Sequence, residues 1–331
     1  MSFLLALVRL VRLPNLLIAL LSQAIPYWWV LRPALLRAGG IPALEEYHFA
    51  CIAGATLLTM LGGYIINDYF DRHIDAINKP RRVVYGKHVT PKVALLLYAV
   101  VLLCVHYLAY LIDRQVMTSN RWPLWLFPAV SFALFLYAWQ LKCTALIGNF
   151  LVSVLCGIVP VMLIFAEERC IWLASFRHPE PIQQALGIVW LYGLFAFITN
   201  LLREQVKDLE DFQGDAACGC ATLAVVKGPR FAKKPAGFTA LTVSALIGAL
   251  LYFWYQMEMS PWRIGMGVVL LLLPALLTTV ALYRATMQRD FARASLWVKL
   301  IMVAGLFLLL PWQPPETRPK QPAPTPTFLR E

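Results

Sequence analysis

Asn67, Asp68, Asp71 and Asp75 close one long apolar segment, and Asp208, Asp211 and Asp215 close another. Carboxylates three or four residues apart share one face of a helix, so each group presents a stripe of oxygen donors. Asn67 and Asn200 carry these stripes back into segments where polar side chains are costly. Two such stripes facing each other would repel unless cations lay between them. A few hard oxygen donors suit Mg²⁺, which keeps several waters and completes its shell with phosphate oxygens. Bases stand among the acids: Arg72, Lys79, Arg81, Arg82, Lys142, Arg203 and Lys207 could neutralise a diphosphate beside the metal ions. Either run alone could be a solvated helix end. Two runs of the same design argue for a site.

The elements that must position these acids follow from composition. Hydrophobic residues make up 60% of the chain and charged residues only 14%, against about a quarter charged in soluble domains. The fold class expected is an all-α integral membrane protein. Apolar segments of spanning length recur at roughly 13–34, 49–69, 93–112, 122–140, 145–166, 184–206, 236–256, 263–284 and 293–312, about nine helices in all. Arg9 and Arg12 precede a long aromatic-rich first span with no small-residue cleavage site, which is expected to remain as an anchor. The net charge of +11 is dispersed over the loops, as topology signals are, and gives no reason to expect nucleic acid. Lys and Arg favour one set of alternate loops by roughly two to one. That bias puts the N-terminus and both acidic clusters in the cytoplasm, and a bacterial-type inner membrane is expected.

The seven cysteines include no CxxC pair and are expected to pack as small hydrophobes. The five histidines are scattered, which disfavours a His-ligated metal. Residues 1–312 are read as one intramembrane domain and the Pro-rich segment 313–331 as a disordered tail. The near-side loops, about 70–92 and 207–235, are longer than connectors need to be and should cap the bundle. On the far side, the loop at 167–183 has room for a short surface helix.

At this point the residues resemble the UbiA-type intramembrane prenyltransferases. The pattern N-D-x-x-D-x-x-x-D is matched by Asn67, Asp68, Asp71 and Asp75, followed by Ile77-Asn78-Lys79-Pro80. The second pattern, K-D-x-x-D-x-x-G-D-x-x-x-G, is matched by Lys207, Asp208, Asp211, Gly214, Asp215 and Gly219. Arg12-Leu13-Pro14-Asn15, the Tyr137 to Lys142 stretch and Gly148-Asn149 extend the likeness over nearly the whole chain except the tail. The run from Arg203-Glu204 to Asp215 is most similar to the branch of digeranylgeranylglyceryl phosphate synthases.

The resemblance implies a helical bundle around a central cavity with cytoplasmic cap loops. It also implies Mg²⁺-dependent transfer of a prenyl group from a polyprenyl diphosphate to a lipophilic acceptor. That acceptor is a glycerol-phosphate ether lipid in one branch and an aromatic ring in the quinone, haem and chlorophyll pathways. On this reading Asn67, Asp71, Asp75, Asp208, Asp211 and Asp215 hold metal, with Asp71, Asp211 and Asp215 central to catalysis. Arg12, Arg72, Lys142, Arg203 and Lys207 would contact the diphosphate; Tyr64, Tyr69, Tyr137, Trp139 and Asn149 would line the cavity. The partners expected are the two substrates and membrane lipid, with no obligate protein partner. The chain departs from the family at Arg81 to Lys87, at Cys143 after Lys142, and at Ala221 before Thr222, all of which bear on diphosphate and acceptor contacts. A CDP-alcohol phosphotransferase fits poorly, because Asp71-Arg72 and Asp75-Ala76 lack its Gly and Arg arrangement. An ion-coupled transporter would instead place acids near mid-span.

Overall fold

The computed structural model describes residues 12–78, 90–116 and 120–308, and all regular structure among them is helical. Nine helices among the described residues are long and apolar enough to cross a membrane. They are α1 (Leu13–Arg37), α2 (Glu46–Asn78), α3 (Pro91–Gln115), α4 (Trp122–Trp139), α5 (Ile147–Ala166), α7 (Pro179–Glu210), α10 (Pro229–Gln256), α11 (Pro261–Arg284) and α12 (Gln288–Leu308). Three short helices join them: α6 (Glu168–Arg177), α8 (Phe212–Ala217) and α9 (Leu223–Lys227). The tail expected at 313–331 lies outside the described residues, as do Lys79, Arg81, Arg82 and Lys87.

Several helices overrun the apolar stretches that reveal them. Apolar residues in α2 give out near residue 69, yet the helix continues to Asn78. No helix breaker intervenes before Pro80, and proline disfavours helical backbone in the residue just ahead of it. Asp71 and Asp75 therefore sit on a helix rather than in a cap loop. Likewise Asp208 belongs to α7, Asp211 caps that helix and Asp215 lies in α8. α10 starts at Pro229, after Gly228 at φ 83°, and so takes up the charged turn containing Arg230, Lys233 and Lys234.

Two apolar clusters build the bundle. One joins Tyr27, Leu31, Ile52, Trp122, Phe127 and Ile182, and the other joins Leu202, Val206, Val243, Ala275 and Val298. α7 contributes to both, and α5 packs closely along it. Glycine makes that approach possible, since a β-carbon on Gly193 would stand 2.6 Å from Val161 Cγ2. Close backbone packing of this kind drives helix association where lipid removes any hydrophobic advantage. The outer surface exposes Leu103, Phe132, Trp190, Phe238, Tyr252 and Trp262, as a lipid-facing surface should. Pro128, Pro160 and Pro235 lie inside helices, which bundles in membranes tolerate because neighbours re-satisfy the freed carbonyls.

At the face opposite the acids, Glu167 is fully buried. Its carboxylate accepts from Tyr27 Oη (2.8 Å), Leu44 N (3.0 Å) and Ala43 N (2.8 Å). One side chain thereby ties the end of α5 to α1 and to the connection after it. The short helix α6 follows directly, within the loop where a surface helix was expected.

Candidate active site

A cavity of about 220 Å³ lies between α1, α2, α4, α5, α7 and α12. Two helical stripes run up its wall to the acids. On α2 the stripe is Thr56, Met60, Gly63, Tyr64 and Asn67; on α7 it is Tyr192, Phe195, Thr199, Arg203 and Lys207. The steps of three and four keep each stripe on one helical face, so Asp71 and Asp211 continue the lines past the cavity mouth. α8, which carries Asp215, packs on α2. Folding therefore brings the two acidic motifs together above one cavity.

The depth of the cavity is apolar, with Leu126, Phe127, Val130, Leu134, Val159 and Met162 in its wall. Its polar end holds Arg12, Asn15, Asn67, Arg203, Glu204, Lys207 and Lys299. Acids and bases neutralise one another there. Asn67 Nδ2 donates to Asp71 Oδ2 (2.6 Å), and Lys142 Nζ pairs with Asp71 Oδ1. Arg12 pairs with Asp68 at 2.5 Å and lies over the Tyr64 ring at 4.8 Å. Arg203 pairs with Glu204 at 2.5 Å, and Tyr137 Oη donates to the other Glu204 oxygen at 3.4 Å. Asp208 accepts from Asn149 Nδ2 at 2.7 Å, Ser153 Oγ donates to the Asn149 carbonyl, and Asn200 Nδ2 donates to Ser153 Oγ. Asp215 is buried.

Lys142 comes from a 3₁₀ turn, Leu141–Cys143, folded onto the start of α5. Only glycine fits at 148, because a β-carbon there would run into the Leu141 carbonyl. Burial, and after it the nearby Lys207, pull the Lys142 ammonium from its usual range down to about 7. On the other side of the turn, Cys143 forms a disulfide with Cys220, and the Ala221 amide donates to the Cys143 carbonyl at 2.9 Å. This corrects the expectation that all the cysteines serve as packing residues. The two stand 77 positions apart in sequence, yet their Cα atoms approach to 4.6 Å, within the range a disulfide spans.

Of the residues singled out from sequence, Arg12, Tyr64, Asn67, Tyr137, Arg203 and Lys207 lie in the cavity wall. Tyr69 and Trp139 do not. Trp139 is 57% exposed, because two residues past Tyr137 a helix has turned by about 200°. Tyr69 packs toward Ile65 and Ala94, with Arg72 over its ring at 5.1 Å. The Arg72 guanidinium also donates to the Tyr69 carbonyl and to His73, away from the acid cluster. Asn149 acts behind the wall, as the buttress of Asp208. Asp75 lies on α2, and its side chain is outside the described residues. Sequence reasoning passed over Glu204, Asn15 and Lys299 as site residues. Glu204 and Lys299 could have been found as charges inside spans.

Among the described residues no three His, Cys, Asp or Glu side chains converge as a closed metal cage. Mg²⁺ does not require one, since it binds through one or two carboxylates, waters and substrate phosphates. The donors of Asn67, Asp71, Asp211 and Asp215 are hard oxygens at the cavity mouth, a set that fits this ion.

The model of the UbiA prenyltransferase family matches residues 24–309. The digeranylgeranylglyceryl phosphate synthase of Methanopyrus kandleri is 33% identical over 251 residues, covering 75% of this chain and 81% of that protein. A solved structure of a digeranylgeranylglyceryl phosphate synthase superposes with a TM-score of 0.60 at 21% identity, covering 94% of this chain and 98% of the other. A UbiA homologue from Archaeoglobus fulgidus bound to GPP and Mg²⁺ superposes with a TM-score of 0.53 at 14% identity, covering 92% and 99%. With its helical bundle, its paired acidic motifs and this match, the chain belongs to the UbiA prenyltransferase family and is a multi-pass membrane enzyme that transfers prenyl groups.

Proposed function

We propose that this enzyme transfers the prenyl group of a polyprenyl diphosphate to the hydroxyl of a glycerol-phosphate ether lipid. The observation that carries the reading is the packing of α8 on α2, which joins two acid motifs over one apolar cavity. Asn67, Asp71, Asp211 and Asp215 would hold Mg²⁺, with Asp208 and Asp75 as outer ligands; the bound ion would supply charge for the departing diphosphate. Lys142 and Lys207 stand ready to hydrogen-bond that leaving group, and Arg12 adds positive charge beside them. The allylic chain would enter the apolar depth, with Tyr64 and Tyr137 in the wall near the reacting carbon, where aromatic rings can stabilise positive charge and the wall excludes water. The acceptor oxygen then bonds to the carbon that diphosphate leaves, and the hydroxyl proton passes to the released pyrophosphate or to water. The activity named for the Methanopyrus kandleri relative supports this acceptor.

Orientation belongs to the same proposal. The loop charges favour the mouth facing the cytoplasm. The relatives named above lend no support to a bacterial-type inner membrane.

The test is purified protein with Mg²⁺, geranylgeranyl diphosphate and a panel of prenylglycerol phosphates and aromatic acceptors, read by pyrophosphate release and product mass. Asp71→Ala and Asp215→Ala should each abolish transfer. Full activity in either variant, or in the presence of EDTA, would overturn the metal site; prenylation of the aromatic panel alone would overturn the acceptor.

A further inference from the structure

α12 lends the cavity wall three residues one turn apart: Lys299, Met302 and Leu306. A lysine inside a span is costly enough to require a polar reason. Its depth can be fixed from two contacts with α7. Tyr192 Oη donates to the Leu306 carbonyl at 3.2 Å, and a β-carbon on Gly305 would meet the Phe195 ring at 2.6 Å. The connections between α7 and α12 make the two helices antiparallel, with the Lys207 end of α7 beside the start of α12. Seven residues back from Leu306 is a rise of ~10 Å. The same rise from Tyr192 reaches Thr199, so Lys299 stands level with Thr199 and about one turn below Arg203. A lysine side chain extends toward polar surroundings from such a position.

Two layers of charge result. The upper layer holds Asp71, Asp211, Asp215, Lys142 and Lys207. The lower one, where polar wall gives way to apolar, holds the Arg203–Glu204 pair and, from another wall, Lys299. A prenyl diphosphate fixed in the upper layer puts its reacting carbon near the lower one. An acceptor whose hydroxyl must reach that carbon, and which carries its own phosphate, brings a second anion into the same cavity. That anion needs a cation apart from those serving the diphosphate. We propose that Lys299 is this cation: a specificity-determining residue that receives the phosphomonoester of the acceptor lipid. The inference rests on the acceptor class proposed above.

The experiment is steady-state kinetics with Mg²⁺ and geranylgeranyl diphosphate, using a prenylglycerol phosphate and the matching prenylglycerol alcohol as acceptors. Wild type, Lys299→Met and Lys299→Arg are compared. Wild type should prefer the phosphate. Lys299→Met should raise KM for the phosphate acceptor by about tenfold or more while changing KM for the alcohol and for geranylgeranyl diphosphate by less than about twofold. Lys299→Arg should restore most of the loss. If Lys299→Met raises KM for geranylgeranyl diphosphate, slows both acceptors alike, or keeps the preference for the phosphate, the assignment of Lys299 is overturned while the acceptor class stands. If wild type treats phosphate and alcohol alike, the acceptor class itself falls and the role of Lys299 with it. The unchanged KM for geranylgeranyl diphosphate also shows that the Met variant has folded.

Discussion

At the face away from the cavity mouth, one buried carboxylate, Glu167, accepts hydrogen bonds from a tyrosine and two backbone amides and joins three parts of the chain. At the mouth, Asp68, Asp71 and Glu204 pair with Arg12, Lys142 and Arg203, while Asp208 rests on an asparagine. Both regions bury charge, but to different ends. Around Glu167 the donors come mostly from backbone, which cannot move aside, and the result is a fixed tie. At the mouth most partners are long cationic side chains that can trade a carboxylate for a phosphate, which frees the carboxylate for a metal ion, without unfolding anything. A structural site and a binding site thus differ less in how much charge is buried than in whether its partners can be replaced.

That contrast is broken or sharpened most directly at Lys142. Replacing it with Met keeps the length of the side chain and removes the charge. Transfer should fall by about 10²–10³, the loss typical when one preorganised donor to a developing anion is removed. The melting temperature should change by only a few degrees, since relief from burying an ammonium offsets the loss of its pairing with Asp71. Pyrophosphate release and thermal unfolding in detergent measure the two effects. A Lys142→Met protein that melts early but turns over normally would make the mouth a structural tie and erase the distinction.

Glu167→Ala should give the opposite pattern. It strips the acceptor from Ala43 N, Leu44 N and Tyr27 Oη, for a loss of about 2–4 kcal/mol of stability. Turnover measured below the melting transition should stay within about twofold of wild type. pH offers a finer check. Burial holds the Glu167 carboxyl above the usual carboxylate range, so the folded state binds its proton more tightly than the unfolded chain does. The associated stability is complete below the ordinary glutamate value of about 4.3 and is lost as pH rises through the folded value. Glu167→Gln should remove that part of the pH dependence. An identical pH profile in the two proteins would contradict it.

The sequence discloses much of the mouth and little of the far face, for a physical reason. Spacing within one helix is written in the sequence, so the stripes ending in Asp71 and Asp211 could be read from periodicity, as could the spans that carry them. Contacts between helices are not written there. Glu167 meets Tyr27 across 140 positions, and Cys143 meets Cys220 across 77. Hydropathy carries α2 only to about residue 69, because it marks where lipid ends, whereas helical spacing continues to Asp75 and the helix to Asn78. Trp139 faces away from the cavity that Tyr137 lines, because a helix sends residues two apart to nearly opposite sides. Lys299 falls within the span expected at 293–312 and so stands out in sequence as a charge inside a span; that it reaches the cavity follows only from its register against α7.

The Cys143–Cys220 pair makes the smallest perturbation of the mouth and so tests how far the mouth relies on covalent tethering. It links the turn bearing Lys142 to the segment just after Asp215. Two features would persist without it: the Ala221 to Cys143 backbone hydrogen bond and the packing of the turn over Gly148. Closing a loop of this length in a freely unfolding chain would be worth up to about 4.5 kcal/mol. Here the intervening spans remain helices in the bilayer, so little of that entropy is available to remove. Cys143→Ser should therefore lower the melting temperature by only a few degrees and raise KM for the prenyl diphosphate by no more than about threefold. The exposed Cys218, two positions from Cys220, makes Cys218→Ser a necessary companion, because it excludes a substitute pairing. A loss as large as that of Lys142→Met would mean that noncovalent packing does not hold the turn, and that the mouth, like the Glu167 tie, depends on a bond that cannot be exchanged.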